Sequence, residues 1–306
     1  MTVSISIMFY GGRVEVYDKV LNFTFRKDIY LPYTSLDAAF VGEDDDISNA
    51  VEISLYIGGK LVHHGLVDTV STEISSGGTI IRLSSRSFTS LLVQNQTEPG
   101  LKTRVSINSL MNSFYTFPYI THEDRPETGY IYVKPNSSMW DSVVNLSYKL
   151  FGTYPYIRGT NCIMVSSYPQ PESFSYTSGD ILAAGRGVDL RSVKSNFHMA
   201  NLSGEYDEFE YEDTFAVQHE LIRHHFFELD NRFLYSPEDA PEYQAKLCSR
   251  GRVRHFCRYS GYNGEDLFDE VTFPGVNGKK AAEVRISGSG NGVVTEVSTY
   301  EDMFMQ

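Results

Sequence analysis

Cysteine is scarce in this sequence: three residues in 306, Cys162, Cys248 and Cys257, an odd number with no CxxC spacing. Neither a disulfide framework nor a four-ligand zinc site can be built from them, so they are expected as reduced core residues. No apolar run approaches the ~20 residues of a membrane span, which excludes a helical anchor. The opening Met-Thr-Val-Ser-Ile-Ser-Ile lacks a basic stretch followed by a long apolar core, so no secretory signal is read and synthesis is expected in the cytosol. Positive charge is also in short supply, with 26 Lys plus Arg against 39 Asp plus Glu, a formal net charge of −13. A surface of that sign repels phosphate backbones and anionic lipid, which argues against tight nucleic-acid binding yet would let DNA slide past without sticking. G-x-G-x-x-G, P-loop and G-x-S-x-G motifs are missing, and Gly288-Ser-Gly-Asn-Gly292 reads as a hairpin turn rather than a phosphate cradle. No cofactor is expected.

What the chain does contain is apolar and aromatic residues in quantity, 41% hydrophobic with 21 Tyr and 19 Phe, a composition that packs well and favours strands. Its length exceeds one typical domain. Val51, Ile53, Leu55 and Ile57 alternate with Glu52, Ser54 and Tyr56 before Gly58-Gly59, the pattern of a half-buried strand entering a tight hairpin. Strands are expected again from Lys60, from Gly65 to Ile74, and from Thr79 to Leu83 across the Ser75–Gly78 turn, forming a meander. The hydroxyls of Ser84-Ser-Arg-Ser87 then predict a capped helix through Val93. Residues 101–170 change character. Helices are expected over Val105–Phe114 and over Ser137–Leu150, the latter with a stripe of Met139, Val143, Leu146 and Leu150 and a stop at Gly152. Strands are expected at Tyr130–Val133, Tyr154–Arg158 and Cys162–Val165, so this segment reads as a small α+β module. From about Asp180 the pattern is strand-rich once more, with alternations near Val188–Met199 and Val217–Leu229 and one helix opened by Ser236-Pro-Glu-Asp239. The fold class is therefore mainly β with an α+β insert: two barrel-like domains, residues 1–96 and 180–306, flanking a module at 97–179.

Four constellations could carry chemistry. His219-Glu220-Leu-Ile-Arg223-His224-His225 invites comparison with a zinc-protease helix, but the second ligand position holds Arg223 and the stretch reads better as a strand, which leaves a solvated or interfacial histidine cluster. Glu43-Asp-Asp-Asp46 and Glu205–Asp213 could supply paired carboxylates or calcium ligands; neither has the spacing of a calcium loop, and solvated faces are expected. Arg250, Arg252, Arg254 and Arg258 would share one face of a strand, suited to phosphate or, in so acidic a protein, to acids of a neighbouring subunit or domain. No catalytic, cofactor-binding or metal residue is nominated.

The run Val51–Val70 followed by Ile80–Leu92 resembles the first tube domain of phage tail hub proteins, the late control protein D family that includes the Mu-type baseplate hub and hubs of contractile bacteriocins. The matching features are a strand ending in a two-residue turn, the Gly65–Asp68 strand and the Ser-Arg-Ser entry at 85–87. Pro135 to Trp140 is similar to the helix entry of that family's second domain, and the order of strands and Ser-Pro-capped helix is similar in the third. The resemblance implies a structural, non-enzymatic hub of a contractile-type tail baseplate. It would be a homo-trimeric adaptor between a six-fold tail tube, or distal tube protein, and a spike, touching baseplate wedge proteins and lining the channel through which DNA passes unbound. The location implied is a virion tail or a phage-tail-like particle assembled in the host cytoplasm. No lysozyme or spike domain is appended, so a separate spike protein is implied. The rival reading is a carbohydrate-binding or cell-wall-degrading tail protein, since aromatic β-folds with acidic loops serve both.

Overall fold

The computed structural model describes residues 1–42, 47–76, 78–114, 116–233 and 236–303. Seven strands open the chain: β1 (Val3–Phe9), β2 (Val14–Tyr17), β3 (Val20–Asp28), β4 (Ser35–Val41), β5 (Ala50–Ile57), β6 (Lys60–Ser75) and β7 (Gly78–Ser87). A one-turn helix α1 (Leu91–Gln94) leads to the middle segment. That segment holds β8 (Gly100–Val105), α2 (Ile107–Ser109), β9 (Thr121–His122), β10 (Gly129–Val133), α3 (Met139–Phe151), β11 (Tyr156–Arg158) and β12 (Cys162–Met164). The remainder comprises β13 (Ser173–Ser175), β14 (Ile181–Val188), β15 (Asn196–Met199), β16 (Phe209–Glu212), α4 (Thr214–Gln218), β17 (His224–Phe227), α5 (Asp239–Ser249), β18 (Val253–Ser260), β19 (Glu270–Phe273), β20 (Val276–Lys280), β21 (Glu283–Ser289) and β22 (Gly292–Tyr300). Strand dominates, at 47% of residues against 16% helix, so the mainly β expectation with an α+β insert holds.

Eleven strands join in one antiparallel sheet, in the order β14-β18-β22-β21-β3-β4-β7-β6-β5-β1-β2, curled into a half-barrel. The joint between the N- and C-terminal strand sets is β3 against β21, from Asp28 opposite Glu283 to Asn22 opposite Ser289. Alternation drives the curl. Ile5, Ile7, Phe23, Phe25, Leu36, Phe40, Ile53, Leu55, Ile81, Leu83, Val284 and Ile286 all point to one side and pack into a single cluster. Burial of that many large apolar side chains is what holds the rolled sheet together. Gly58-Gly59 turns β5 into β6 with φ of +59° and +80°, values that only glycine adopts without strain. At Gly288 a Cβ would sit 2.0 Å from the Phe23 ring, so the β21–β3 joint closes only over a bare backbone.

Helix α3 forms as expected. Ser138 caps it and exchanges bonds with Asp141 in a capping box, and Gly152 closes it in the left-handed region. Its Val143 and Leu146 are fully buried, and the cluster they join also takes in Ile29, Leu267, Phe268 and Ala282 from the flanking segments. Buried charge fastens the same junction. Lys27 reaches the Gly159 carbonyl at 2.6 Å and the Asp266 carboxylate, and Arg158 donates to Asp269 at 2.8 Å.

Several local expectations are corrected. The segment Ser84–Ser87 continues β7 instead of starting a helix; helical turns begin only at Phe88, and Ser87 makes no capping bond there. The reason is that Ser85 and Ser87 point into the core, where Ser85 meets His63 Nε2 at 2.9 Å and Ser87 accepts the Thr34 N–H at 3.0 Å. Val217–Leu229 is not one strand. Asp213 caps α4 by accepting the Phe215 and Ala216 N–H groups, and only His224–Phe227 is extended. Val188–Met199 likewise breaks at Asp189 and resumes at Asn196. The helix signalled by Ser236-Pro starts at Asp239, with no side-chain cap.

His63 gives a measurable consequence. It is fully buried, with Nδ1 2.8 Å from Thr34 Oγ1 and Nε2 2.9 Å from Ser85 Oγ, and burial pushes its pKa down to about 3. The unfolded chain therefore binds a proton at this residue more readily, with a pKa near ~6.5. Stability from His63 is complete above ~6.5 and is lost as pH falls toward 3, about 2 kcal/mol by pH ~5. Urea midpoints at neutral and mildly acid pH should differ accordingly, and His63→Gln should remove this part of the difference. An unchanged pH slope in that variant would show that the ring is not held neutral.

Candidate assembly surfaces

The long strand β6 forks the sheet. Its first half, Lys60–Leu66, pairs with β5, whereas Thr69–Ser75 pairs with β7 alone. At the far end β14 pairs only with β18. Between these two open edges lies an eight-strand run, β14-β18-β22-β21-β3-β4-β7-β6. The backbone groups on each edge can be assigned. Asp189 N–H bonds Arg252 O at 2.8 Å, so in the antiparallel alternation Ala184, Arg186 and Val188 direct theirs outward. Ser75 and Gly78 close the two-residue β6–β7 hairpin, so Val70, Thr72 and Ile74 direct theirs outward. Both edges are free among the described residues, the arrangement that recruits another strand.

The face of this run opposite the apolar cluster is mostly polar, with its arginines paired within the chain. Thr69, Ser71, Arg82, Ser84, Asp37, Asn22 and Thr24 line a shallow groove across β6, β7, β4 and β3. Arg86 grips Asp68 with two bonds of 2.7 and 2.8 Å, and Arg82 meets Glu73 at 3.1 Å. Across the joint runs a ribbon: Arg258 to Glu296 (2.6 Å), Arg254 to Glu296 and Glu283 (3.3 and 3.2 Å), then Arg26 and Arg285 to Glu283 (both 2.7 Å). Glu283 is 1% exposed, and burial by itself would raise its pKa. Bonds and charge from Arg285 and Arg26 outweigh that and hold it below the usual carboxylate range, so it stays ionised.

Arg254 and Arg258 do share a face of β18, but Arg250 and Arg252 precede the strand. Arg250 lies over the Tyr30 and Tyr154 rings, and Arg252 pairs with Asp302 at 2.8 Å. The partner acids belong to the same chain. His219 ends α4 with its Nδ1 2.8 Å from the Phe215 carbonyl, while His224 and His225 sit on opposite faces of β17. The run Glu205–Asp213 divides into an exposed turn, the strand β16 and the α4 cap. Glu43–Asp46 lie outside the described residues. Among the described residues no three His, Cys, Asp or Glu side chains gather to hold a metal. Cys162, Cys248 and Cys257 are free thiols, and burial pushes the Cys257 pKa up to about 11. Glu265, which sequence reasoning missed, is buried with its Oε1 accepting from Tyr176 and Tyr259, and burial lifts its pKa to about 7. No nearby motif announces it, because Tyr176 is 89 residues distant in the chain.

This architecture is shared with phage and prophage tail proteins and with a component of the type VI secretion system. A tail protein from Neisseria meningitidis MC58 superposes with a TM-score of 0.71 over 99% of this chain and 97% of its own, at 16% identity. The prophage MuSo2 tail protein from Shewanella oneidensis gives 0.71 over the whole of both chains at 13% identity. An Escherichia coli component of the type VI secretion system, described as structurally similar to T4 bacteriophage tail proteins, gives 0.57 over 93% of this chain and 75% of its own, at 9% identity. No family model and no curated protein matches the sequence.

Proposed function

We propose that the chain is the non-catalytic central hub of a contractile-type tail baseplate, a trimer that joins a six-fold tube to a spike. One observation carries the reading: the eight-strand run takes four strands, β3, β4, β6 and β7, from residues 1–96 and four, β14, β18, β21 and β22, from residues 180–306. Each set acts as one tube domain, so three chains present six similar units to the tube, with the 97–179 module held outside. Eight is even, so β14 of one chain meets β6 of the next in antiparallel sense, and repetition closes a ring through heterologous contacts. The polar face with its self-paired arginines lines the channel, where it offers phosphates few unpaired cations and lets DNA pass. A hydrolase would need two positioned carboxylates in a cleft; of the described acids that burial lifts, Glu265 lies behind two tyrosines and Asp28 is held by Arg26 and Tyr300.

Electron microscopy of particles carrying a tagged copy tests this directly. Density for the tag at the junction of tube and spike is expected; density on the fibres or the outer sheath would refute the assignment.

A further inference from the structure

The small sheet β16-β15-β17 packs one face on α5 through Met199, Phe209 and Phe227. Its other face is open, and alternation there should place only polar side chains. Instead a row of rings crosses it. His198 on β15 stacks on Phe226 of β17 with centroids 4.5 Å apart and on His224 at 5.5 Å, and Tyr206 meets Phe226 edge-on at 5.4 Å. Phe226 is 57% exposed, although a well-packed place for it lies one residue away on the other face. The edge beside this row is open too. Arg223 and Phe227 direct their carbonyls to β15, so His224 and Phe226 direct their backbone groups outward, unpaired among the described residues.

We propose that this face and edge form a docking surface, independent of the hub interface, for a cationic polypeptide strand of another protein. The strand adds to β17 through the outward groups of His224 and Phe226, and its alternate Lys or Arg side chains lie over the rings. Charge selects the occupant. Residues 196–228 hold eight acids, Glu205, Asp207, Glu208, Glu210, Glu212, Asp213, Glu220 and Glu228, against one base, Arg223, so 8 − 1 gives seven of the chain's thirteen net negative charges. Glu210 and Glu212 stand on the strand adjoining the ring row, and Glu205, Asp207 and Glu208 stand exposed on the loop before it. A second copy of this acidic chain is repelled, whereas a basic strand gains both ion pairing at the rim and cation–π contact with Phe226 and Tyr206.

The probe is a fluorescent peptide of alternating lysine and valine, titrated against the full chain by anisotropy, with an alternating glutamate and valine peptide as control. Binding of the lysine peptide is expected, weakening as salt rises. Phe226→Ser, an exposed position whose change leaves the fold intact, should weaken it by about tenfold or more, a loss that corresponds to roughly 1.4 kcal/mol. Glu210→Gln with Glu212→Gln should weaken it and flatten the salt dependence. Hydrogen exchange over residues 222–228 should slow in the complex. Equal binding of the two peptides, an unchanged Phe226→Ser variant or unaltered exchange at 222–228 would overturn the proposal, as would capture of soluble glycan chains by this face with the peptide unbound.

Discussion

Asp269→Ala is expected to cost about 3–5 kcal/mol, the penalty for breaking a buried ion pair, and to lower the melting temperature by on the order of 10 °C. Asp269 is 1% exposed and works on three sides. One oxygen accepts from Arg158 at 2.8 Å and from the Glu172 N–H at 3.1 Å, and the other accepts from the Asp266 N–H at 2.8 Å. Alanine would strand a guanidinium and two backbone donors at the point where the middle segment meets the C-terminal strands. It would also release Asp266, which the loop holds against Lys27 and the Gly159 N–H. Asp269→Asn keeps the shape and one acceptor and should lose less. Thermal and urea unfolding of the three proteins measure this, and a shift under about 2 °C for alanine would show that the network does not fasten the junction.

In the proposed trimer, proline at the two open edges is expected to release folded monomers. Thr72→Pro and Ala184→Pro each remove an N–H that points away from the existing ladder, so β6–β7 and β14–β18 keep their own bonds. An incoming strand then meets a missing donor and a ring on both sides of the interface. The double variant should associate at least about a hundredfold more weakly, roughly 2.8 kcal/mol, with an unchanged circular dichroism spectrum. Retention of the full assembly would mean that these edges are not where the copies meet.

Local signals were legible where a residue's neighbours in sequence are its neighbours in space. Gly58-Gly59, the turn before Gly78 and the loop before Gly292 each turn a hairpin, and Ser138 with Gly152 bounds α3 as read. Misreadings arose where tertiary contacts reassigned a polar residue. Ser85 and Ser87 have the composition of a helix cap, yet their hydroxyls serve a buried histidine and a buried threonine N–H, which keeps the chain extended. Asp213-Thr-Phe-Ala carried a cap signal that apparent alternation through Leu229 concealed. The β3–β21 joint, which makes one sheet of the chain's two ends, is long-range pairing with no local trace in the sequence. Arginine partners were equally hidden: the stripe at 250–258 was visible, but Glu283 and Glu296 lie 29 and 42 residues beyond Arg254.

Closure of three copies of this chain into a ring is the decisive point. Light scattering coupled to size exclusion, on the full chain at micromolar concentration with and without co-expression of the proposed spike and tube partners, measures this most directly. With a subunit of 34.6 kDa, a single species of three subunits that does not grow with concentration is expected. A monomer in every mixture, or a mass that climbs without limit, would contradict it.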